Sequence, residues 1–180
     1  MKRPHRLLVL APHRDTRVLM QAWSAELFKS GFLGAWSFPW VIPIAEVKRH
    51  LSLSELKELG IVLRNNFTEK KITCGKAEIC EFPAYIDKNI SILGPAVNLN
   101  LSEAFFRPIK GLSKYRFSPL VLGSALAEKP LLDDIPCPPE ISFGASALAN
   151  MEMLPLSQGN VLSFEWKIGQ PCWLPKKREK

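Results

Sequence analysis

Phe38-Pro39-Trp40-Val41-Ile42-Pro43-Ile44-Ala45 and Ser118-Pro119-Leu120-Val121-Leu122-Gly123-Ser124-Ala125 have the same build: a proline-led apolar run ending in a small residue. Such a run reads as a strand that starts at the proline, where a missing N–H costs no ladder bond. If the two are matching strands of two structural halves, they line one cleft. Trp40, Ile42, Leu120 and Leu122 then occupy alternate positions along its walls.

Working outward, Arg6-Leu7-Leu8-Val9-Leu10-Ala11 is a short leucine-rich run stopped by Pro12, hence a buried strand. Asp15 or Thr16 is placed to cap a helix whose apolar face holds Val18, Leu19, Ala22, Trp23 and Leu27, with Gly31 as its stop. Phe32 to Phe38 and Trp40 to Val47 read as extended. Ser52-Leu53-Ser54-Glu55 has the spacing of a capping box and opens a second helix to about Arg64, with Leu53, Leu56, Leu59 and Leu63 on one face.

From Lys70 the period shortens to two. Lys71 to Phe82 and Asn89 to Leu101 predict a hairpin turning at residues 83–88, followed by a helix of at most two turns before Pro108. The proline-rich stretch Lys129 to Pro139 predicts a surface loop. Ile141 to Met153 is strand-like, and Val161 to Ile168 alternates, with Leu162, Phe164, Trp166 and Ile168 on one face and a turn at Gln158-Gly159-Asn160. The expected class is α+β: a single bilobal domain over 1–180, with pseudo-twofold antiparallel sheets, helices on the outside, and flexible basic tails at about 1–5 and 175–180.

The 180 residues carry a net charge of +7, but the ends hold most of it. Lys2, Arg3, Arg6, Lys176, Lys177, Arg178 and Lys180 are opposed there by Glu179 alone, so the body between is nearly neutral. Any phosphate contact by these tails is expected to be weak and salt-sensitive. No apolar run reaches the ~18 residues of a membrane span, and the start lacks a small-residue cleavage site after an apolar core, so a cytoplasmic, non-membrane protein is expected. Cys74, Cys80, Cys137 and Cys172 form no Cys-x-x-Cys pair and have no ligand spacing to His5, His13 or His50; they read as buried hydrophobes, with no metal or other cofactor expected.

The order of elements over about residues 6 to 174 resembles the two-histidine phosphoesterase superfamily, which includes the RNA-ligase-like cyclic phosphodiesterases. In that family each of two lobes offers a His-x-Thr/Ser strand to a central cleft. One imidazole takes a proton from the nucleophile, the other protonates the leaving oxygen, and the hydroxyls hold the phosphate. On this resemblance the motif positions are Trp40 with Ile42 and Leu120 with Leu122. Trp40 and Leu120 cannot transfer a proton, and Ile42 and Leu122 cannot hydrogen-bond an oxyanion, so no catalytic residue is assigned. The resemblance implies a non-catalytic binding or scaffolding protein that recognises an RNA end or a phosphate-bearing small molecule. The alternative left open is a cyclic phosphodiesterase with relocated catalytic groups, drawing on His13 or His50, and Arg116.

Ala11-Pro12-His13-Arg14-Asp15-Thr16 resembles the Ala-Pro-His-Pro-Asp-Asp opening of the zinc-dependent N-deacetylases of sugar conjugates. Thr16 stands where a zinc-binding aspartate belongs, and no histidine follows His50 to complete the later His-x-x-His. This implies at most a degenerate relative. Two groups are candidates for holding an anion: His13, Arg14 and Arg17 near a helix start, and Arg107, Lys114 and Arg116, with Lys110 and Tyr115 interleaved, ahead of the Leu120 segment.

Overall fold

A computed structural model describes residues 4–12, 14–32, 34–66, 72–82, 90–123, 125–127, 142–143, 146–158 and 161–173. The chain runs β1 (His5–Pro12), α1 (Arg14–Lys29), β2 (Ile42–Val47), α2 (Leu53–Asn66), β3 (Ile72–Phe82), β4 (Ile90–Val97), α3 (Glu103–Phe106), a 3-10 turn (Arg107–Ile109), β5 (Ser113–Arg116), β6 (Ala125–Ala127), β7 (Ser142–Phe143), β8 (Ser146–Gln158), β9 (Val161–Ile168) and β10 (Cys172–Trp173). This is an α+β fold with two antiparallel sheets. The larger has the order β10-β8-β1-β2-β5 with β9 also on β8, and the smaller has the order β6-β4-β3-β7.

β1 lies between β8 and β2 and is buried over nearly its whole length. Leu8 and Leu10 face α1 and α2 through a cluster that includes Met20, Trp23, Leu27, Leu56, Leu59 and Leu63. Leu7, Val9 and Ala11 project to the other face, against Met151, Met153 and Phe117. Both clusters also take residues from the smaller sheet and its neighbours: Cys74, Leu93 and Leu122 in the first, Cys80, Ile92 and Val121 in the second.

Several local expectations change. α1 begins at Arg14, before the Asp15 or Thr16 expected as its cap, and Thr16 is buried inside the helix. Its buried stripe is Thr16, Met20, Trp23, Ser24 and Leu27, whereas Val18 and Leu19 are half exposed and Ala22 is exposed. Ser24 takes an inward place because its hydroxyl donates to the Ala35 carbonyl at 3.0 Å. Gly31 leaves the helix at φ +95°, as a helix stop requires. The segment after it is not extended: Ala35 N–H donates to Phe32 O and Ser37 N–H to Gly34 O, coiling it into turns. In α2 the capping box forms, with Ser52 N–H donating to Glu55 Oε2 at 2.7 Å and Glu55 N–H to Ser52 Oγ at 3.3 Å, but Leu53 is left half exposed on the first turn. Lys114, Tyr115 and Arg116 of the basic group lie on β5, a strand that the sequence did not predict. The expected turn at residues 83–88, Gly159 and Asn160 of the turn expected at 158–160, and the proline-rich loop lie outside the described residues, while Gln158 is the last residue of β8.

Candidate functional site

The two proline-led segments come together. Gly123 N–H donates to Val41 O at 2.9 Å, while Leu122 N–H donates to Pro95 O and Val97 N–H to Leu120 O, both at 2.9 Å. The second segment, entered through a cis Ser118-Pro119 bond, therefore joins β4 of the smaller sheet to the strand that becomes β2 of the larger. Two glycines make this approach feasible. A Cβ on Gly94 would fall on the Leu122 carbonyl oxygen, and one on Gly123 would fall on the Phe38 ring. Ile42 and Leu122 are fully buried at this seam. Trp40 and Leu120 are half-buried, and Trp40 stacks at a tilt on Trp23 with ring centroids 6.4 Å apart.

Of the proposed anion ligands, Arg107, Lys114 and Arg116 belong to the 3-10 turn and β5, and all three are exposed. Arg116 is already engaged: its guanidinium donates to Glu103 Oε1 at 2.6 Å and lies 4.0 Å over the Phe106 ring. The contact holds the Glu103 carboxyl below its ordinary range. Lys114 Nζ stands 3.5 Å from Glu46 Oε1. Arg17 is exposed on α1. His13 and the side chain of Arg14 lie outside the described residues.

The structure also shows two histidine–carboxylate pairs at the end of the larger sheet remote from the seam. On one face His5 Nδ1 donates to Glu46 Oε1 at 3.0 Å, with both residues buried. Burial alone would push the Glu46 carboxyl up, but the His5 hydrogen bond and the positive fields of His5 and Lys114 outweigh it and hold it below the ordinary value. On the other face His50 Nε2 donates to Glu152 Oε1 at 2.8 Å, with Arg6 Nε 3.6 Å from the same oxygen. The His50 hydrogen bond is the main cause of a lowered Glu152 carboxyl. Asn150 fixes this corner, accepting from Leu51 N–H at 2.9 Å and donating to Leu51 O at 2.7 Å.

These pairs escaped the reading of motifs because their members are scattered along the chain. A local signal did exist in Glu46, an acid within the otherwise apolar Ile42–Val47 strand, where only a paired carboxylate is expected. Neither pair is arranged for proton transfer to a ligand: His5 Nε2 and His50 Nδ1 are shielded from solvent, and the other nitrogen of each ring is committed to its carboxylate. Five residue-to-residue steps of strand separate His5 from Leu10, which pairs with Ile42, so the His5 pair sits about 17 Å from the seam.

Among the described residues no group of three or more histidine, cysteine, aspartate or glutamate side chains could hold a metal. Burial pushes the Cys74 thiol up to about 12 and is the largest influence raising Cys80 to about 11, so neither supplies a thiolate near neutral pH. No described helix is long and apolar enough to cross a membrane.

The class defined by fold and seam is thus an α+β protein whose two antiparallel sheets meet at a paired, proline-led junction. No protein-family model, curated protein or solved structure matches the chain.

Proposed function

We propose that this chain is a non-catalytic binding or scaffolding protein whose frame resembles the two-histidine phosphoesterases, and that its ligand is an RNA end or another phosphate-bearing molecule. The observation that carries this reading is the Gly123 N–H to Val41 O contact, which sets the two motif-like segments side by side. At their motif positions stand Trp40, Ile42, Leu120 and Leu122, none of them able to move a proton. Arg116, opposite Ala45 on β2 and three residues along that strand from Ile42, is the exposed cation of β5 nearer the seam and the one placed to draw a phosphate toward it, whereas Lys114 lies at the far end beside Glu46. The commitment of His5 and His50 to buried or part-buried carboxylate contacts weighs against the phosphodiesterase alternative.

The test is a titration with short single-stranded RNA ending in a 2′,3′-cyclic phosphate, at low and high salt, with the RNA inspected afterwards for ring opening. Salt-resistant binding without turnover is expected. Binding abolished by salt would assign the attraction to the terminal Lys/Arg runs. Ring opening that disappears in His13→Ala would replace this reading with the phosphodiesterase one.

A further inference from the structure

Most edges of the two sheets are short among the described residues, and the one long edge of the smaller sheet, β3 beyond the two residues that β7 covers, is broken by a register shift between Cys74 and Ala77 and carries the exposed Lys76, Glu78 and Glu81. β5 has four residues, β6 three, and β7 and β10 two each. Short, bulged or charged edges are how sheets avoid pairing with other chains, and the register irregularity beside Val47 together with Lys114 and Arg116 gives β5 all three protections. β9 differs. It runs eight residues in unbroken register with β8 from Gln158↔Val161 to Met151↔Ile168, contains no proline, and among the described residues pairs with β8 alone. Trp166 on this strand is 45% exposed, and Glu165 and Lys167 beside it are exposed.

We propose that β9 is the interface of a twofold homodimer, formed by antiparallel pairing of β9 with β9 of a second copy, centred on Trp166. Backbone geometry limits the registers. Gly169 N–H donates to Asn150 O at 2.8 Å, so by alternation Lys167, Glu165 and Ser163 direct their backbone groups to β8, whereas Ile168, Trp166 and Phe164 direct theirs outward. A second β9 can therefore bond only where outward residues face outward residues. Among such registers, centring between Phe164 and Trp166 sets Glu165 against Glu165. Centring on Phe164 sets Glu165 against Ser163. Centring on Trp166 sets Glu165 of each copy against Lys167 of the other, two opposite-charge cross-strand pairs on one face, with the two indoles adjacent on the opposite face. The surface is self-complementary, as a twofold interface requires. A partner with a different sequence would need its own matched acid and base, whereas a second copy already has them.

The experiment is sedimentation velocity of the full chain over a concentration series, with three variants. The parent chain is expected to dimerise. Glu165→Lys, which faces Leu154 rather than a charge on β8, is expected to raise the dimer dissociation constant about tenfold or more, because it places like charges across both pairs. Mixing it in equal amounts with Lys167→Glu is expected to restore association as a heterodimer. Trp166→Cys is expected to form an inter-chain disulfide on mild oxidation, since hydrogen-bonded antiparallel partners hold their Cα atoms about 5.5 Å apart. A chain that stays monomeric throughout, or a dimer indifferent to Glu165→Lys and unable to cross-link at Trp166→Cys, would overturn the proposal.

Discussion

Glu46 shows how a single buried charge is made tolerable. Its carboxylate enters an apolar strand, which costs several kcal/mol unless partners replace the lost water. The His5 ring donates at 3.0 Å, and Lys114 approaches at 3.5 Å from the exposed side. Removing the charge while keeping the shape should expose the value of that arrangement. Glu46→Gln retains an acceptor for His5 but loses the charge assistance, and is expected to lower unfolding stability by about 1–3 kcal/mol. His5→Ala should cost at least as much, because it leaves the carboxylate buried with Lys114 as its remaining cation. Urea denaturation of both variants checks this. A Glu46→Gln protein as stable as the parent would mean that desolvation cancels the gain from the pair.

At the scale of elements, the start of α2 offers a pH-dependent test. Glu55 accepts from Ser52 N–H and binds Arg49 through both oxygens, at 2.7 and 2.9 Å. The Arg49 contact, then the Ser52 backbone, brings its carboxyl down to about 2. A carboxyl lowered on folding stabilises fully above its unfolded value, near 4.3 for glutamate, and that stability is lost as pH falls through the folded value. Stability measured by urea midpoint should therefore fall between about pH 5 and pH 2, and the fall should be shallower in Arg49→Ala. Ser52→Ala should cost about 1 kcal/mol at neutral pH. A pH slope identical in Arg49→Ala and the parent would remove Glu55 from the account. This cap was legible in the sequence because a capping box is local, as was the β3–β4 hairpin from its two-residue period. The turn replacing the expected strand at Phe32–Phe38 was not legible, because apolar content alone does not separate a strand from a coiled buried loop. Nor was the face of α1: Val18 and Leu19 satisfied helical spacing as well as Met20 did, and it is the packing of Met20, Trp23 and Leu27 on Leu8 and Leu10, with Ser24 bonded to Ala35 O, that marks the stripe turned inward. The likeness of the two proline-led segments suggested that they line one cleft but not that they bond to each other, and the glycines that permit the approach, at 94 and 123, carried no mark in the sequence of what they would meet.

The whole molecule depends on that approach. Because each apolar cluster takes side chains from both sheets, neither sheet has a core of its own, and the two should unfold in one transition. Leu122 is the sharpest probe, fully buried in the cluster beneath α1 and α2 while its N–H is held by Pro95 of β4. Leu122→Ala is expected to lower global stability by about 2–5 kcal/mol, the range for truncating a buried leucine. If the sheets form one cooperative unit, native-state hydrogen exchange at β1 and β2 of the larger sheet should accelerate by the same factor as at β3 and β4 of the smaller one. Acceleration confined to β3 and β4 would show two lobes joined only by contact, and the seam would then be a place where they can separate. Gly94→Ala attacks the same junction from the backbone side, where the Leu122 carbonyl cannot move without turning the peptide group whose Gly123 N–H bonds Val41 O, so it should loosen both sheets together as well.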